Sequence, residues 1–224
     1  EYRKTETGFE KLAQQNVDFG GGLERLAAAV ADDPDIFRLD VFTPLIEHIE
    51  RASGIQYDHN REITRAVRII ADHIRASIFL VSDGVRPGNK DRAYILRKLI
   101  RRAVSYLAKI HYPLEAGFDA LVAPVIAAYG NVYTELEENK TLISQIINAE
   151  ANKFARALAG GQKEFEKIAE SGRVTGMDAF NLYQTNGFPW ELTQERAEQR
   201  GIFIDRKAFE VEFKKHQDLS RTAY

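Results

Sequence analysis

The sequence predicts a mainly α-helical protein. Three observations carry that prediction. From position 61 onward apolar residues recur at spacings of three and four, the period of one helix face. Residues that start and stop helices bracket those stretches. Between 134 and 170 a single apolar seam runs without a strand-like alternation. The chain has 224 residues, 44% of them hydrophobic, enough for one large domain or two small ones.

Taken in order, the first fifteen residues are short of pattern and mixed in charge. Asn16 to Gly22 reads as a strand or loop that ends in a glycine turn, and Leu23 to Val30 as an Ala/Leu-rich helix. Asp32-Asp33-Pro34 stops it, because proline lacks an N–H and disfavours helix in the residue before it. Thr43-Pro44 supplies an N-cap and a first-turn proline for a helix that ends at Ser53-Gly54. Ile63, Val67, Ile70, Ala71, Ile74, Ile78 and Val81 form the stripe of a long helix, closed by the turn-rich run from Ser82 to Asn89. A further helix spans about Asp91 to Ile110. Leu136, Ile143, Ile147, Phe154, Leu158 and Phe165 make the seam of a helical hairpin or one long helix, which Gly160-Gly161 would interrupt or bend. Ser171-Gly172 reads as a linker. The tail from Val174 reads as a small helical subdomain with Gly187-Phe188-Pro189 as an internal turn.

Composition excludes some chemistry. Cysteine is absent, so this chain holds no disulfide, Cys-ligated zinc or thiolate nucleophile, and its absence fits a reducing compartment. No apolar run reaches the roughly 20 residues of a membrane helix. The polar start lacks the apolar segment of a signal peptide. It also lacks an initiator Met, so the chain reads as a piece of something longer. The formal charge of −2 argues against a uniformly basic nucleic-acid binder, but says nothing of patches.

Four constellations could carry chemistry. The glycine turn at Gly20-Gly21-Gly22 would let backbone N–H groups meet an anion at a helix start, with Arg25 in reach of a phosphate and Asp18 able to hold an ammonium group. A plain tight turn explains the same glycines. The run from Arg92 to Arg102 holds Arg92, Arg97, Lys98, Arg101 and Arg102 and no acidic residue. On a helix Arg97, Lys98, Arg101 and Arg102 share one face, opposite Leu96, Leu99, Ile100, Ala103 and Leu107. That pattern suits a polyanion, or a face paired with acids from elsewhere in the chain. Asn89, at the entrance to this helix, is either a turn former or a reader of RNA base edges. The segment from Leu182 to Pro189 reads as a polar structural loop. The five histidines make no metal-binding pair, and His73 beside Asp72 reads as a structural hydrogen bond.

These residues together resemble the alanyl-tRNA synthetases. Asp18-Phe19-Gly20-Gly21-Gly22-Leu23-Glu24-Arg25 is similar to that family's motif 3. Asp83-Gly84-Val85-Arg86-Pro87-Gly88-Asn89 and the run Arg92 to Ala103 look like its tRNA-recognition region. Leu182 to Pro189 resembles its next subdomain. The resemblance implies a class II ligase that activates alanine with ATP and Mg²⁺ and charges its tRNA in the cytoplasm. It implies a helical tRNA-recognition domain behind a short remnant of an antiparallel-sheet catalytic domain, with boundaries at 1–33, 34–170 and 171–224. Carried over by position, Asp18, Gly20, Gly22 and Arg25 bind alanine and ATP, with Arg25 the catalytic residue. Asn89 and the residue at Gln184 read a G·U wobble pair in the acceptor stem. Arg92, Arg97, Lys98, Arg101 and Arg102 hold its backbone.

Phe19 and Gly21 depart from the family's usual Thr and Met, and Gln184 from its usual Asp. The resemblance also implies that the earlier catalytic motifs lie before Glu1 and a zinc-dependent editing domain after Tyr224. This piece alone is then expected to be inactive, with no metal of its own. The competing expectation is a non-catalytic helical module that docks a protein on the basic face.

Overall fold

The computed structural model describes residues 2–14, 20–114 and 117–222, with the side chains of 217 and 219–222 left aside. It is mainly helical, as the periodicity predicts. Strands β1 (Tyr2–Thr5) and β2 (Gly8–Lys11) pair antiparallel with Thr5 opposite Gly8. No hydrophobic alternation marks this hairpin in the sequence, because all its residues but the half-buried Thr5 are exposed and it has no buried face. Helix α1 (Leu23–Val30) follows, then a single 3₁₀ turn at Ile36–Arg38. Residues Glu1–Thr43 form one compact unit and Pro44–Tyr224 a second.

The second unit carries the helical stripes. Helix α2 (Thr43–Ser53) ends at Gly54, whose φ of 72° is the left-handed stop expected there. Thr43 acts differently from the expected N-cap. Its hydroxyl donates to the carbonyls of Arg38 and Leu39, at 3.1 and 2.9 Å, rather than accepting from the helix. Helix α3 (Arg61–Ser82) is capped by Asn60, whose side-chain oxygen accepts from the Ile63 N–H at 2.9 Å. It buries Val67, Ile70, Ala71, Ile74, Ile78 and Val81. Helix α4 (Asp91–Lys109) packs along α3 through Leu96, Ile100, Ala103, Val104 and Leu107.

Helix α5 (Asp119–Tyr129) carries no periodic signal in the sequence. It is apolar on most sides and carries Pro124, so no single stripe marks it. Asn148 fastens its start: the Asn148 side-chain oxygen accepts from the Phe118 N–H at 2.8 Å, and its amide donates to Asp119 at 2.9 Å.

The seam from 134 to 169 is a one-turn helix α6 (Thr134–Glu138) and then one continuous helix α7 (Lys140–Ala169), not a hairpin. Gly160-Gly161 does not break it. A Cβ on Gly161 would lie 2.7–2.9 Å from atoms of Phe188, so this glycine makes room for a ring rather than for a bend.

Helices α8 (Gly176–Asn186), α9 (Trp190–Gln199) and α10 (Arg206–Thr222) form the expected C-terminal group. A capping box opens α8: the Thr175 hydroxyl accepts from the Asp178 N–H at 3.1 Å, and the Asp178 carboxylate accepts from the Thr175 N–H at 2.9 Å. Gly187, at φ 65°, closes it. Phe180, Tyr183, Trp190, Phe209 and Phe213 stack between these helices. No helix among the described residues is long and apolar enough to cross a membrane.

Candidate nucleic-acid interface

Helix α4 lies between α3 and α7, which cover its apolar side. Its basic side is left to form the wall of a cleft of about 890 Å³, closed by α7 and the C-terminal helices. Arg97, Lys98, Arg101 and Arg102, the four residues expected on one face, all line it. The fold adds three cations that no local pattern connects to them: Arg65 from α3, Lys109 from the end of α4 and Lys153 from α7. Seven basic side chains thus converge, against the carboxylates Glu62, Glu191 and Glu195.

Not all of these cations are free to meet a ligand. Arg101 Nε donates to Glu150 Oε1 at 2.7 Å, with Glu150 only 11% exposed. Its guanidinium also sits over the Phe154 ring, 5.2 Å from the centroid. The basic face is therefore partly paired by an acid from another helix, one of the two outcomes its charge pattern allows. Arg102 lies over Tyr106, and its charge contributes to lowering the Asp72 pKa, after the larger effect of the His73 hydrogen bond. Lys109 Nζ lies 3.2 Å from Glu62 and 3.7 Å from Glu195, tying α4 to α3 and α9. Arg65, Arg97, Lys98 and Lys153 make no ion pair among the described residues.

Polar and aromatic groups complete the lining. Gln184 and Thr185 are exposed at the end of α8. The Leu182–Pro189 segment is thus not a free loop but the last turn of a helix with its cap. Tyr94, 45% exposed, and Tyr183 face the same cleft. Burial pushes the Tyr183 hydroxyl pKa up, with Tyr94 and Glu191 adding to the effect. His216 reaches the cleft from α10, beside Phe180.

Asn89 and Arg92 are exposed at the entrance of α4 and are not among the cleft-lining residues. The turn that presents Asn89 is tightly built. The Gly88 N–H donates to the Ala93 carbonyl at 3.0 Å, and a Cβ on Gly88 would meet Ala93 Cβ at 2.8 Å. Asp91 adopts φ 49°, the left-handed region uncommon outside glycine.

In the first unit Asp18 and Phe19 lie outside the described residues. Gly20 has open space around it, and Gly22 precedes α1 in extended conformation. The Arg25 stem folds back over Gly22. A Cβ there would lie 3.3 Å from Arg25 Cδ, so the absent side chain leaves room for the arginine. His73 Nδ1 and Asp72 Oδ2 are 3.0 Å apart, the structural pair expected. No group of three His, Cys, Asp or Glu residues is placed to hold a metal ion among the described residues.

Residues 2–224 match the family model for tRNA synthetases class II (A). An alanine–tRNA ligase of Listeria welshimeri is 39% identical over 221 residues, which cover 96% of this chain and 25% of that protein. One from Borrelia hermsii is 40% identical, over 99% of this chain and 38% of its own length. One from Thermotoga maritima is 37% identical, over 100% and 26%. The chain therefore spans well under half the length of these relatives.

Proposed function

The chain belongs to the class II tRNA synthetases, and from that footing we propose that it is the acceptor-stem-binding part of an alanine–tRNA ligase of the cytoplasm. The observation that supports this reading most is the cleft, where cations from α3, α4 and α7 converge on one side and hydrogen-bonding groups from α8 on the other. Cations position a nucleic-acid backbone without reading sequence, while amides and hydroxyls at a groove edge can read bases. RNA offers them a shallow minor groove. Arg97, Lys98, Arg102 and Lys153 hold phosphates in this scheme. Asn89, on its rigid turn, and Gln184 read a G·U pair. An amide in place of a carboxylate at 184 keeps both a donor and an acceptor but no charge.

Alanine, ATP and Mg²⁺ belong to the whole ligase. Arg25, with its stem folded over Gly22 at the start of α1, is the described residue here that fits an ATP phosphate. We assign no metal ion, magnesium or zinc, to the described side chains.

The test is binding of an acceptor-stem RNA hairpin across a salt series. The double variant Arg97→Ala, Lys98→Ala should weaken binding and flatten its salt dependence. Arg101 is unsuited to this test because its removal strands Glu150. Binding indifferent to both salt and the double variant would turn the reading towards a protein-docking face. Replacing Asn89 with Ala should cost about 1–3 kcal/mol on a G·U stem and less on a G·C stem. Equal losses would leave Asn89 as a turn residue.

A further inference from the structure

We propose that a second groove, between α7 and α9, docks an acidic amphipathic helix of a partner protein. The groove has a volume of about 830 Å³ and is separate from the basic cleft. Lys109, Leu192 and Glu195 line both spaces, so the Lys109–Glu195 pair stands between them. The proposal does not depend on the RNA reading.

The walls of this groove are apolar and only partly covered. Leu114 and Leu192 are half-buried, and Ala149, Ala155 and Ala159 leave the α7 side low. Open apolar surface of this extent is unusual on a protein that meets only water. The groove follows α7 from Ala149 to Gln162, about 20 Å of helix, which matches roughly four turns of a partner helix laid along it. Among the described residues no strand borders it, so an extended peptide has no sheet edge to join here.

The charges around it are of one sign once internal pairs are removed. Glu195 is the one carboxylate on the lining among the described residues, and it already faces Lys109 at 3.7 Å. Arg156 is exposed and makes no ion pair among the described residues. Arg196 has only a 3.4 Å hydrogen bond to Gln199 on its own helix. Uncommitted positive charge beside apolar walls is complementary to a helix with a Leu/Ala seam flanked by carboxylates. A nucleic acid would satisfy the arginines but not the walls. Phe188, the aromatic residue on the lining, is 2% exposed and offers no ring on which a base could stack.

The probe is a synthetic 16-residue helical peptide with a Leu/Ala seam and Glu on both flanks. Its controls are the same peptide with Lys for every Glu, and one of identical composition with the seam scrambled. Binding to the 224-residue chain is read by fluorescence anisotropy. The acidic peptide should bind, and both controls should bind at least about tenfold more weakly. The double variant Arg156→Glu, Arg196→Glu should lose about tenfold for the acidic peptide and gain for the Lys peptide. Ala159→Trp, which fills the groove, should weaken both. An unchanged melting temperature shows that these surface variants are folded.

No binding of the acidic peptide overturns the proposal. So does binding that ignores the charge reversal, or a scrambled peptide that binds equally well. Displacement of the peptide by an acceptor-stem hairpin, together with sensitivity to Arg97→Ala, Lys98→Ala, would place it in the basic cleft and overturn the proposal too. Sedimentation that shows the chain pairing with itself, abolished by Ala159→Trp, would make the occupant a second copy instead.

Discussion

At the scale of single residues, neighbours decide what a charge does. Arg101 and Arg97 sit one helical turn apart on the same face, yet Arg101 is held by the nearly buried Glu150 and Arg97 makes no ion pair among the described residues. Arg101→Ala should therefore destabilise the fold by about 1–3 kcal/mol, the cost of leaving a buried acceptor unmet. Arg97→Ala should leave stability nearly unchanged while weakening RNA binding. Urea unfolding of the two variants separates these outcomes, and equal stability losses would contradict the assignment.

A second residue links stability to pH. His48 Nε2 lies 2.9 Å from the Tyr112 hydroxyl, and burial, then the charge of Arg51, holds its pKa below the ordinary 6.5. The unfolded chain thus takes up the proton first as pH falls. The stability contributed by the neutral ring is complete above about pH 6.5 and is lost as pH falls through the interval below. Unfolding free energies measured between about pH 7 and 5 should fall less steeply in His48→Gln than in the wild type. Parallel slopes would remove His48 from the account.

Among the elements, α7 gives the sharpest contrast between two adjacent positions. Gly160 faces open space, its nearest would-be Cβ contact being Asn186 Nδ2 at 3.9 Å, while Gly161 faces Phe188 at 2.7 Å. Gly160→Ala should stabilise the chain by about 1 kcal/mol through helix propensity alone. At Gly161 the same gain meets an overpacking cost of about 1–3 kcal/mol, so Gly161→Ala should be neutral to destabilising. Melting temperatures that move in the same direction and by the same amount would show that Phe188 yields.

This pair also marks what the sequence can tell. The seam that buries Ile143 to Phe165 was legible because one helix face repeats every three or four residues. Whether Gly160-Gly161 bends the helix was not, because the answer lies in a ring 27 residues away. The four cations of α4 could be read for the same reason as the seam. Arg65, Lys153 and Glu191 could not, because only packing brings them to the same cleft. The β1–β2 hairpin escaped because it buries nothing that imposes a pattern.

At the scale of the molecule, a formal charge of −2 coexists with a concentrated positive wall. If Arg97, Lys98, Arg102 and Lys153 each neutralise a phosphate, the logarithm of affinity should fall against the logarithm of salt with a slope of roughly −3.6. Each Lys or Arg removed from that set should lessen the slope by nearly one. A slope near zero with intact affinity would mean that the wall does not hold a polyanion. Because the cleft residues all lie in the Pro44–Tyr224 unit, a chain beginning at Pro44 should bind the same hairpin with the same slope.

Lys109 adds something to that titration. Its ammonium bridges Glu62 on α3 and Glu195 on α9, so a single partly exposed cation fastens two walls of the cleft. Contacts of this kind contribute little individually and fade as salt rises. Dissolved ions therefore act on the cleft twice, competing for the phosphates and unfastening the walls that present them. The measured slope then counts a mechanical step as well as released counterions. With Lys109→Met the clasp is open at every ionic strength, and the slope that remains is the phosphate count alone.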